Sequence, residues 1–84
     1  MNGKKHKAMI TKAEFFKHLN ENAGILQFLA SRLANSQEEA HKLYLETIYQ
    51  ATKDLGGVKQ HEGVKPWLVI TMRNVFLTRL DYAA

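Results

Sequence analysis

The sequence holds no cysteine, one proline and five glycines, and it has no long apolar run. Without cysteine, neither a disulfide framework nor a thiolate zinc site can supplement the core, and nothing marks the chain as secreted. The longest apolar stretches fall far short of the ~18 residues that point to a membrane span. The start has no signal-peptide apolar segment, so the predicted compartment is the cytoplasm. Length is also in short supply: 84 residues is about half of a ~150-residue domain unit, which excludes a two-domain enzyme.

What is present is the balance of an ordinary globular chain, 45% apolar and 24% charged, so one small core is expected. The net charge of +4 is distributed unevenly. Residues 1–12 carry Lys4, Lys5, Lys7 and Lys12 with no acid (+4); residues 13–52 carry three bases and five acids (−2); residues 53–84 carry five bases and three acids (+2). Residues 1–11 are read as a basic flexible tail, with a nucleic-acid-binding arm as the alternative, and residues 12–82 as the helical domain.

With so few helix breakers, the pattern predicts an all-α fold, a small bundle of three to four helices. Thr11 and Glu14 form the S/T-x-x-E capping box, so a helix is expected from Lys12. Phe15, Phe16 and Leu19 make its apolar face. Asn20 to Gly24 predict a break or loose joint before Ile25, Leu26, Phe28, Leu29 and Leu33, which gives either two short helices or one bent helix. A second box, Ser36 with Glu39, opens the clearest helix. Ala40, Leu43, Tyr44, Thr47, Ile48, Ala51 and Leu55 recur at three- and four-residue steps there, with mostly polar residues between. Gly56 and Gly57 are expected to stop it. A polar loop, 56–65, leads to Pro66, which suits the first position of a final helix running from Trp67 to about Asp81. Trp67, Ile70, Asn74, Leu77 and Leu80 follow one stripe of that helix. Leu68, Val69, Met72, Val75 and Phe76 make it apolar nearly all round, so it is either central to the core or carries a second apolar face for a partner.

Catalytic and metal chemistry find little support. His6, His18, His41 and His61 are scattered, with no pair at i, i+4. There is no Ser/His/acid set and no phosphate-cradling glycine loop. Tyr44, Tyr49, Met72 and Phe76 read as packing residues. The expectation is a chain that is not an enzyme, with no cofactor and no metal.

The order of parts resembles region 2 of bacterial sigma factors, the extracytoplasmic-function group in particular. Residues 36–53 (SQEEAHKLYLETIYQATK), a polar loop, and residues 64–80 (VKPWLVITMRNVFLTRL) carry the likeness. The matches are Glu39, Ala40, Leu43, Glu46, Thr47 and Ile48 in the first helix, and Lys65, Trp67, Leu68, Arg73 and Asn74 in the second. W-L-x-x-x-x-R-N behind L-x-x-E-T is the specific part, and the likeness covers nearly everything after the first dozen residues. It implies a transcription initiation factor domain whose first long helix docks on core RNA polymerase, while the loop and last helix melt and read the promoter −10 element as single-stranded non-template DNA. An anti-sigma factor is a further implied partner.

Carried over, the resemblance gives a polymerase-binding set of Glu39, Leu43, Glu46 and Gln50. It gives a DNA-binding set of Lys59, Gln60, His61, Lys65, Arg73, Asn74 and Arg79. In this set Asn74 reads either as a packing amide or as a base-edge contact, and the bases as phosphate contacts or a solvated face. Trp67 and Leu68 match structural positions. Several residues depart from the family pattern. His41 and Lys42 replace acids, Leu45 replaces a Gln, Thr78 replaces an Asp, and Asp81-Tyr82-Ala83-Ala84 replaces a run of arginines. Both functions are weakened by these changes, polymerase docking more than DNA reading. They favour an alternative, a sigma-like decoy or adaptor that binds a regulatory protein without promoter recognition.

Overall fold

The computed structural model describes residues 11–55 and 63–83. These form three α-helices, α1 (Lys12–Leu33), α2 (Gln37–Lys53) and α3 (Val64–Ala83), and no strand among the described residues. The chain is an all-α bundle in which every helix touches the other two.

The first helix begins where the capping box predicts. The Glu14 N–H donates to the Thr11 hydroxyl (3.1 Å), and the Glu14 carboxylate accepts from the Thr11 N–H (3.0 Å). Asn20 to Gly24 do not interrupt it: α1 is one continuous helix of 22 residues. Two features let it run through. Asn22 donates its side-chain amide to the His18 carbonyl (2.8 Å), a local bond compatible with the helix, and a single mid-helix glycine costs only about 1 kcal/mol against alanine. Burial of Phe15 ahead of the segment and of Leu26 and Ala30 behind it offsets that cost.

Ala34 closes α1 with its N–H on the Ala30 carbonyl (2.9 Å), and Ser36 caps α2 by accepting the Glu39 N–H (3.1 Å). Ala40, Leu43, Thr47 and Ala51, at steps of three and four, are the buried positions of α2. Thr47 is buried and polar, and its hydroxyl is satisfied by the Leu43 carbonyl at 2.8 Å. Asp54 caps the helix end, two residues before Gly56. The expected Gly56-Gly57 stop lies outside the described residues.

The last helix begins at Val64, two residues ahead of Pro66. A proline in the first turn is tolerated at any of these positions, because none of the first four N–H groups has an intrahelical partner. Gly63 precedes the helix at φ +122°, a conformation glycine adopts without strain. The buried stripe of α3 is Val64, Leu68 and Met72, flanked by Trp67. It differs from the expected one: Ile70, Asn74, Leu77 and Leu80 are exposed. An apolar helix with two faces offers two stripes, and α1 and α2 cover the one through Val64, Leu68 and Met72, keeping only Trp67 of the expected stripe in the core. Phe15 meets Trp67 edge-on, with ring centroids 5.9 Å apart, an arrangement worth roughly 0.5 to 1.5 kcal/mol beyond its area.

Candidate functional site

One acidic residue of α2, Glu39, meets Arg79 of α3 directly. The Arg79 guanidinium donates to the Glu39 carboxylate at 3.2 Å, across 40 residues of chain. Lys42 approaches the same carboxylate at 3.6 Å. The Ser36 box is therefore half formed. The hydroxyl caps the Glu39 N–H, but the Glu39 carboxylate faces Arg79 and Lys42. Both Glu39 and Arg79 are exposed enough that the pair is worth at most about 1 kcal/mol.

Beside this pair, a surface groove of about 550 Å³ runs between α2 and α3. Glu46 and Gln50, one turn apart on α2, and Asp54, the residue that caps it, form one wall. Thr71, Asn74 and Thr78 form the α3 wall, with Arg79 at the end that meets Glu39. Trp67 and Val75 supply apolar surface between the walls. Gln50 donates its amide to the Glu46 carboxylate (3.2 Å). Thr71 and Thr78 each donate their hydroxyl to the carbonyl four residues back, Trp67 at 2.8 Å and Asn74 at 2.9 Å.

Of the predicted polymerase-binding set, Glu39, Glu46 and Gln50 reach the surface and Leu43 does not. Leu43 is 1% exposed, because its spacing places it on the same stripe as Ala40 and Thr47. Of the predicted DNA-binding set, Lys65, Arg73 and Asn74 are exposed and Arg79 is half-buried against Glu39. Lys59, Gln60 and His61 lie outside the described residues. Asn74 is not a core amide: it lines the groove, so residues assigned to two separate partners share one site. The residues that sequence reasoning passed over are Asp54, Thr71 and Thr78. The four-residue step from Glu46 through Gln50 to Asp54 is a visible signal, but only the packing of α3 against α2 turns that line into a wall.

Elsewhere, a second groove of about 510 Å³ lies between the α1–α2 turn and the end of α3. It is mostly apolar, with Leu33, Leu43, Phe76 and Leu80 in its lining. Among the described residues no group of three His, Asp or Glu side chains is placed to hold a metal ion, and no helix is long and apolar enough to cross a membrane. No family model, no curated protein and no solved structure matches this chain.

Proposed function

We propose that this chain is a transcription initiation factor domain, acting in the cytoplasm, that binds core RNA polymerase through α2 and engages the promoter −10 element through α3. The observation that carries the reading is the way one motif divides between inside and outside. In W-L-x-x-x-x-R-N, Trp67 and Leu68 are buried while Arg73 and Asn74 are exposed. A recognition helix needs that division, with an apolar anchor holding a polar pair toward the nucleic acid. Arg73 and Lys65 would contact phosphates and Asn74 a base edge. On α2, Glu46 is the acidic residue best placed for a protein partner, since Glu39 is engaged by Arg79 and Lys42.

That engagement of Glu39, together with His41, Lys42 and Leu45, favours a second reading, a decoy or adaptor with the same fold that binds a regulatory protein. A pull-down of purified core polymerase separates the two. Under the first reading the wild-type domain captures polymerase and Glu46→Ala loses it. Failure of the wild type to capture polymerase, with the domain folded, would favour the second.

A further inference from the structure

The hydrogen-bond chemistry of the α2–α3 groove is lopsided. A threonine hydroxyl has one proton to give, and Thr71 and Thr78 have both given theirs to the helix backbone. Toward the groove they present only lone pairs. Gln50 has turned its amide nitrogen to Glu46, leaving its carbonyl oxygen as an acceptor. Glu46 and Asp54 are acceptors throughout their length of the wall, and among the described residues neither forms an ion pair. Among the described residues, the one cation lining the groove, Arg79, is held by Glu39 at 3.2 Å. The free valences are therefore mostly acceptors with a net negative field, and Trp67 and Val75 set an apolar strip between them.

We infer that this groove is a binding site for an arginine side chain presented by a protein partner. The guanidinium carries five N–H donors in a planar fork and is weakly hydrated, so it can satisfy acceptors on both walls at once, whereas a lysine ammonium is a compact, strongly hydrated point charge. Its aliphatic stem matches the apolar strip. A nucleic acid fits less well, because the two carboxylates repel its phosphates. The surroundings also suit a protein. Ile70 and Leu77, 39% and 44% exposed, stand one turn to either side of Asn74 on the same face of α3, and apolar side chains beside an arginine are the ordinary make-up of an interface core. The inference shares Glu46 with the polymerase reading and Asn74 with the promoter reading, but does not require that the partner be polymerase.

The test is a nuclear magnetic resonance titration of the isotopically labelled full chain with Nα-acetylarginine amide. Nα-acetylcitrulline amide, which keeps the shape and loses the charge, serves as the second arm and deoxyadenosine as the third. Saturable shifts with the arginine compound, centred on Gln50, Thr71 and Asn74, are expected. They should weaken about tenfold in Glu46→Gln, a near-isosteric change that removes the charge-assisted bond, while the remaining spectrum stays that of the wild type. Asp54→Asn is the second variant, should Glu46→Gln perturb the fold. Overturning results are no saturable shift, equal shifts with the citrulline compound, or the same shifts with deoxyadenosine, the last marking a base site instead. A chain that captures no polymerase yet binds arginine removes the polymerase reading alone, and the converse removes this inference alone.

Discussion

α2 is buried evenly along its length, at Ala40, Leu43, Thr47 and Ala51, and every side chain on its opposite face except Leu45 and Tyr49 is polar or charged. Among the described side chains, the buried residues of α3 all lie between Val64 and Met72. From Arg73 to Leu80 none is buried, and Leu77 and Leu80 stand open to solvent. α2 is thus a scaffold helix whose surface is polar, whereas α3 is an anchor in its first half and an apolar, basic surface in its second. Val75 and Phe76 still pack against the core, and the apolar residues beyond full burial invite an occupant in a way that α2 does not.

Truncating apolar residues in the two halves of α3 should have very different consequences. Leu68→Ala should destabilise the fold by about 2 to 5 kcal/mol, while Leu77→Ala should fall within about 0.5 kcal/mol of wild type. Chemical denaturation with matched m-values is the measurement. A similar loss for both would mean that the second half of α3 is core after all. Gly63→Ala probes how the anchor half starts. At φ +122° an alanine is strained by about 1 to 3 kcal/mol, even though the added methyl meets nothing closer than the Pro66 Cδ at 3.9 Å. If thermal melting shows no loss, the start of α3 relaxes freely.

A smaller effect is expected at the scaffold helix. Ser36→Ala removes the cap on the Glu39 N–H and should cost about 1 kcal/mol. Smaller still is the link between the two helices. A double-mutant cycle on Glu39→Gln and Arg79→Gln should give a coupling below about 1 kcal/mol that shrinks as salt is added. A coupling that ignores salt would mean the pair is more shielded from solvent than its exposure allows.

Both helix starts marked by a hydroxyl were readable in the sequence, because a capping box is a local device whose parts lie three residues apart. The buried positions of α2 were readable for a similar reason: polar residues fill the rest of its surface, so one stripe was available. On α3 the stripe through Ile70 and Leu77, interrupted by Asn74, competes with the stripe through Leu68 and Met72. The choice between them is made by Phe15, far away in the chain, meeting Trp67. The joint expected at Asn20 to Gly24 vanished because burial on both sides outweighs one glycine. The candidate site was half legible. Glu46, Gln50, Asn74 and Arg79 were each singled out, but that they line one groove depends on the pairing of α2 with α3, which no local pattern encodes.

Although Glu46 and Asn74 line one groove, α2 and α3 are proposed to serve different partners, and a crossed binding measurement separates the two roles. Core polymerase and a single-stranded −10-like oligonucleotide are each titrated against the wild type, Glu46→Ala and Arg73→Ala. Glu46→Ala should lose polymerase and keep the oligonucleotide, while Arg73→Ala should keep polymerase and weaken a salt-dependent oligonucleotide affinity. Wild-type protein that binds neither, or variants that lose both together while remaining folded, would contradict this division of roles.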